Sequence, residues 1–216
     1  MRTKIRTHPE RRVTQNADVL AILDEGLVSH VGFIDGGTPF VIPMMYARLG
    51  NVLYLHGSAA GRLMSVIGNA EQICVTITLL DGIVLARSAF KHSMNYRSVV
   101  VFGKPQAVTE EAEKRRAFAA LVEHVVPGRS GDTREASAAE LEITGVIALD
   151  LDECSAKRRS GPPLETKSDE TLSHWAGVIP AKLKFGQPEP DERTADTPLP
   201  NYLRNYDRDK GRSPTQ

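Results

Sequence analysis

Apolar positions near the start of the chain follow a helical repeat. Val19, Leu20, Ile22 and Leu23 fall on one face, which predicts a short helix over Asn16 to Glu25. Asn16 is placed to accept the first free N–H groups, and Gly26 to end the helix. The pattern then changes to apolar, β-branched runs cut by turn residues. Leu27 to Ile34 reads as a strand, Gly36-Gly37 as a hairpin turn and Pro39 to Ala47 as the return. Gly50-Asn51 turns the chain into Val52 to His56, and Gln72 to Leu80 pairs with Ile83 to Ser88 across Asp81-Gly82. Ser98 to Val108 and Ile143 to Ser155 are long strands. Tight turns join most of these, so the sheet is predicted to be antiparallel and to close as a barrel. A parallel sheet would need a helix between each pair. Three more helices decorate it. One runs over Gly61 to Gly68. A second runs from a Thr109 cap to about Val126 and buries Ala117, Phe118, Leu121, Val122 and Val125. The third opens with Ser137 and Glu140 as a capping box.

The length, 216 residues and 23.6 kDa, fits one domain with a tail. Residues 1–186 are read as the barrel domain. Residues 187–216 are punctuated by Pro188, Pro190, Pro198, Pro200 and Pro214 and carry few apolar side chains, so they are read as a C-terminal tail. Leu199, Tyr202, Leu203 and Tyr206 would let that tail drape over a partner subunit. Lys and Arg total 27, as do Asp and Glu, so the basic excess typical of nucleic-acid or anionic-lipid binding is missing. Cys74 and Cys154 form neither a zinc ribbon nor a CxxC pair, which fits a reducing cytosol. No signal-peptide h-region precedes Arg12, and the apolar run Ile73 to Leu80 is too short for a bilayer. A cytoplasmic protein with no membrane partner is expected. The six histidines are scattered without metal-ligand spacing, and no G-x-S-x-G elbow is present. Gly32 to Gly37 leads into a strand, so it is a hairpin and not a dinucleotide fingerprint.

Four segments are candidates for chemistry. His56-Gly57-Ser58-Ala59-Ala60-Gly61-Arg62 links a strand to a helix. It reads either as a phosphate-binding turn, with Arg62 as the charged partner, or as a plain loop with a solvated arginine. Arg87 to Ser98 is dense in donors and reads equally as a site loop or a polar surface loop. Lys157-Arg158-Arg159 before Gly161-Pro162-Pro163 could grip an anion, or simply be a solvated strand end. Trp175, the sole tryptophan, suits stacking on an aromatic ligand, a subunit interface or a core anchor.

Taken in order, several motifs resemble the flavin-nucleotide-binding branch of the pyridoxamine 5′-phosphate oxidase-related split-barrel proteins, the wider group of the nitroimidazole-resistance proteins. They are Thr38-Pro39-Phe40-Val41-Ile42-Pro43, Leu53-Tyr54-Leu55-His56-Gly57-Ser58 with Gly61-Arg62, Val84 to Ser88, Ser93 to Gly103, Ser155-Ala156-Lys157 with Gly161-Pro162-Pro163, and Trp175 to Pro180. The resemblance implies a split β-barrel homodimer with FMN at the subunit interface. It implies that Ile42, Pro43 and Met44 line the isoalloxazine edge. His56, Ser58, Arg62 and Leu63 would then form the phosphate turn, with Tyr96, Arg97 and Ser98 reaching the phosphate and ribityl region. Trp175 would cover the flavin. Where the oxidase has Arg then Lys, this chain has Arg62 then Leu63, so a second cation is expected from Arg97 or else Arg87. The oxidase's closing Arg-Leu-x-Pro segment is not recognisable, which argues against pyridoxamine phosphate as substrate. The implied activity is an FMN-dependent oxidoreduction of a small organic molecule; the alternative is a non-catalytic flavin store, carrier or sensor, and a third reading is a split barrel that holds haem or a deazaflavin instead. No catalytic side chain and no metal ligand is assigned, and substrate and electron donor stay unnamed.

Overall fold

The structure, a computed structural model, describes residues 3–204 and Tyr206. Among these residues, ten strands form one antiparallel sheet. After β1 (Arg12–Val13) comes α1 (Asn16–Glu25), which buries Val19, Ile22 and Leu23. Asn16 lies inside the first turn, and Gln15 is the N-cap with no side-chain bond. Strands β2 (Val28–Asp35) and β3 (Thr38–Leu49) form the expected hairpin. Gly36 and Gly37 both have positive φ, 55° and 81°, as a tight two-residue turn requires. β4 (Val52–Ser58) runs into α2 (Arg62–Gly68), followed by β5 (Ile73–Leu85), β6 (Ser93–Gly103) and β7 (Gln106–Ala107). Next come α3 (Glu111–Val125), α4 (Ala138–Ile143), β8 (Thr144–Asp150) and β9 (Glu153–Arg159). α5 (Lys167–Glu170), β10 (Gly177–Pro180) and α6 (Asn201–Arg204) complete the order. The capping box at α4 forms as read, with Ser137 accepting from the Glu140 N–H. α3 starts after Glu110 instead of at the Thr109 cap.

Three expectations are corrected. The sheet does not close into a barrel, so a split β-barrel is not the observed architecture. Its strand path runs β1-β9-β6-β5-β2-β3-β4-β8-β7 and ends at two-residue strands that do not pair with each other. Short turns fix antiparallel neighbours but say nothing about whether the outer strands meet. Second, Asp81-Gly82 is no hairpin turn. β5 passes straight through it with a register shift between Leu80 and Gly82, and both halves pair with β6. Gly82 does not have positive φ, and the Asp81 carboxylate is held by Arg97. Third, Ile143 to Ser155 is two strands, β8 and β9, with a bend at residues 151–152.

β3 is the joint of the molecule. Its first eight residues, Thr38 to Met45, pair with β2, whereas Tyr46 to Leu49 pair with β4. The main core lies between the two resulting ladders and includes Val31, Tyr46, Leu53, Leu55, Ile67, Val75, Ile77, Val99 and Leu149. α1 and α2 contribute Ile22, Leu23 and Met64 to it. A smaller cluster, Tyr54, Val108, Ala117 and Val146, seats α3 on the far side of β4 and β8. The described part of the tail returns to its own chain. The Tyr202 hydroxyl donates to Asp132 (2.6 Å) and accepts from Arg129, and Tyr206 stacks edge-on against Phe185.

Candidate functional site

β3 and β4 separate beyond the Tyr46–Leu55 pair. From there Thr38 to Met45 keep β2 on one side and no strand on the other, and His56 to Ser58 keep only β8. This leaves a gap flanked by two backbone edges. Among the described residues, the β3 edge has no ladder partner to take its outward N–H and C=O groups. Backbone polar groups of this kind must find water or a ligand. Phe40 and Phe33 stack on the β2–β3 hairpin with centroids 5.5 Å apart.

α2 stands beside this hairpin. Its entry is set by two glycines that allow close approach: a Cβ on Gly57 would meet Met64 Cγ at 2.9 Å, and one on Gly61 would meet the Ser58 carbonyl at 3.0 Å. Arg62, in the first turn of α2, projects its guanidinium over the Phe40 ring at 5.3 Å and pairs with Asp35. Its side chain is 72% exposed, so the pair is weak and exchangeable in solvent. Leu63 faces the other way and packs on the core.

The gap therefore collects Ile42, Pro43, Met44, Ser58 and Arg62. Ile42 and Met44 turn towards the core, whereas Pro43 is exposed. Ser29 donates to the Met44 carbonyl (3.0 Å), so that group is already occupied. His56 turns its ring away from α2 towards Phe118 of α3, with ring centroids 6.2 Å apart. Its Nδ1 is buried without a hydrogen-bond partner, and burial lowers its pKa, which keeps the imidazole neutral near pH 7.

The remaining candidates lie elsewhere. Arg97 is clamped between Glu25 and Asp81, and these carboxylates raise its pKa further. Arg97 sits opposite Leu79, and β2 reaches β5 only at Cys74 to Ile77, so Arg97 and the Asp35–Arg62 pair occupy opposite ends of the sheet. Arg87 pairs with Glu165 and donates to the Leu172 carbonyl (3.1 Å). Within the chain, then, neither stands with Arg62 as a second cation. Tyr96 and Ser98 sit on β6 opposite Arg159 and Lys157. Trp175 is 67% exposed, which removes the core-anchor reading, and its ring folds back over Gly177. Arg159 is buried and bonds Asn95 and the Pro162 carbonyl (3.0 Å), so it is a structural strut. The sequence reading missed Asp35 and Phe40 as the partners of Arg62. A carboxylate before a Gly-Gly turn is too common to signal such a role.

The chain has counterparts among known proteins. A family model described as pyridoxamine 5′-phosphate oxidase matches residues 15–158. The chain belongs to this family. Among solved structures, the flavocytochrome Anf3 from Azotobacter vinelandii is 38% identical with a TM-score of 0.88, covering 94% of each chain. The FAD and heme binding protein from Mycobacterium smegmatis is 31% identical with a TM-score of 0.85, covering 90% of this chain and 96% of that one. A putative 5-nitroimidazole antibiotic resistance protein from Bacteroides thetaiotaomicron shares the fold at 23% identity and a TM-score of 0.58, over 68% of this chain. No curated protein matches. Among the described residues, no helix is long and apolar enough to cross a membrane.

Proposed function

We propose that this protein binds a flavin nucleotide and a haem and works as a redox protein, a homodimer acting on a small organic donor or acceptor. The observation that carries the flavin part is the gap itself: a β3 backbone edge without a ladder partner, with a solvent-exposed arginine at its end. The outward backbone edge of β3 around Pro43 suits the polar edge of an isoalloxazine, and Arg62 suits the nucleotide phosphate once it leaves Asp35. Bound flavin supplies hydride and single-electron transfer, and the protein orients it. The resemblance of the motifs implies FMN, whereas the M. smegmatis relative favours FAD.

The haem part rests on how far the similarity extends. The family model stops at residue 158, yet the A. vinelandii and M. smegmatis structures match 94% and 90% of the chain. The match must run well past β9, into the segment that holds His174 and Trp175. A porphyrin brings four nitrogens of its own, so one or two histidines are enough to hold it. His8, His92 and His124 are engaged in hydrogen bonds. His30, His56 and His174 are the candidates left among the described residues, and the orphaned nitrogen of neutral His56 fits a metal ligand.

Homodimerisation is supported by the outer face of the sheet. Val28, Met45 and Val41 are exposed on β2 and β3, and Ile83, Met94 and Ile179 form a continuous exposed row across β5, β6 and β10. An apolar area of this kind marks an association surface.

The deciding measurement is an absorption spectrum of the purified protein, with its cofactors extracted and weighed. Flavin bands and a Soret band are expected. A colourless protein that takes up neither added FMN nor FAD would overturn the proposal. Arg62→Ala is expected to weaken flavin binding by on the order of 1.5–3 kcal/mol, read as the dissociation constant.

A further inference from the structure

A second concave site lies on β6 and β9, separated from β3 by β5 and β2 in the strand order. The segment Lys4 to Thr7 lies along the outer face of β6 and β9 and borders an open cleft of about 450 Å³. The floor comes from two adjacent strand pairs, Ser98 with Lys157 and Val100 with Ser155. Lys157 Nζ donates to the Thr7 carbonyl (2.8 Å) and so fastens the strap to the sheet. Three basic residues, Lys4, Arg6 and Lys157, line this space together with Thr7, Ser98 and Ser155 and the apolar Ile5 and Val100. No carboxylate lines it, and among the described residues none of the three cations has an ion-pair partner. Arg12, opposite Lys157 in the β1–β9 ladder, adds a fourth cation on the same face.

This concentration is local, because the chain as a whole carries equal numbers of acidic and basic residues. Cations gathered in a concave space without counter-charges repel one another unless an anion joins them. The hydroxyls supply neutral hydrogen bonds of the kind that surround a phosphate. The volume falls in the range of small-molecule sites and exceeds the need of a free inorganic ion.

We propose that this cleft binds the phosphate or diphosphate group of a nucleotide-like organophosphate. The same chemistry has two sources: the phosphates of a flavin seated across a dimer, or a separate diffusible nucleotide. The inference stands on charge and shape, and it holds whether or not the flavin reading does.

The test is calorimetric titration of the full-length protein, as purified, with inorganic pyrophosphate, ADP, NADPH and FAD at low salt. Lys4→Gln combined with Arg6→Gln is the probe variant, since both residues sit on the surface strap and leave the core intact. Wild type is expected to bind pyrophosphate or ADP once per chain, more weakly as salt rises. The double variant is expected to lose tenfold or more of that affinity with an unchanged unfolding midpoint. If FAD affinity falls in parallel, the phosphates are the flavin's. If FAD affinity holds while ADP or NADPH affinity falls, the ligand is diffusible. Absence of wild-type binding to every phosphate probe, or equal binding by both proteins, would overturn the proposal. Pyrophosphate needs no flavin, so this outcome is separable from failure of the flavin reading, and Arg62→Ala should leave pyrophosphate binding as it is.

Discussion

At Gly26 an added Cβ would lie 2.5 Å from Ile77 Cγ2 and 2.6 Å from Tyr46 Oη. Space, and not backbone conformation, calls for glycine at the end of α1, since its φ of −62° is open to any residue. Gly26→Ala is therefore expected to destabilise the fold by about 1–3 kcal/mol, measured by urea denaturation, through overpacking where Tyr46 donates to the Leu23 carbonyl. His56 carries a second residue-level prediction. Burial lowers its folded pKa, so below about pH 6.5 the unfolded chain binds a proton that the folded one refuses. In the cofactor-free protein, stability is expected to fall as pH drops from about 6.5 until the folded pKa is passed. Denaturation midpoints for His56→Phe should be flatter over this range than those of wild type. Single residues were only partly legible in the sequence. Arg62 stands out by its turn, and the structure does put it at an exposed helix start. The resemblance implies Arg97 as the second cation at the phosphate, because Leu63 follows Arg62 here. What the resemblance could not reveal is that Glu25 and Asp81, far apart along the chain, converge on that guanidinium.

Among the elements, the hairpin turns and helices were legible wherever the signal was local. Gly36-Gly37, the stripe of α1 and the α4 capping box each involve contacts within a few residues. The failure at Asp81-Gly82 is instructive for the same reason. The dipeptide favours a turn, but pairing on both sides outweighs that preference. β6 continues the ladder on one side and β10 seals the other, with Ile179 opposite Ile83. A Cβ at Gly82 would meet the Ile179 carbonyl and Val178 Cγ1, each at 3.0 Å. Gly82→Val is thus expected to dislodge β10 while sparing the main core. Limited proteolysis should cut the variant faster within residues 164–180, and equal protection would show that β10 tolerates the side chain.

For the molecule as a whole, strand neighbours were readable but closure was not. Whether a sheet closes depends on strand tilt and stagger, which no local pattern records. Its outer edges, β1 and β7, are two residues each, short enough to discourage edge-to-edge aggregation. The exposed row Ile83–Met94–Ile179 is a different matter, since it is apolar and continuous. Light scattering is expected to give twice the chain mass of 23.6 kDa for wild type and the single mass for Ile83→Glu with Met94→Glu. A wild-type monomer would sink the dimer. Both positions are at the surface, so the variant should keep its unfolding midpoint.

Among the described residues, β1 has its only ladder partner in β9, with Arg12 opposite Lys157. On a ribosome adding about 5–20 residues per second, the chain waits roughly seven to thirty seconds between making one and making the other. Through that interval the amino-terminal segment has nothing to pair with. The strap and its cationic cleft must be among the last features assembled, after the β2–β3 hairpin and its gap already exist. A nascent chain stalled before β9 would carry the gap beside β3 without the cleft, so the two sites come into being in a fixed order during synthesis.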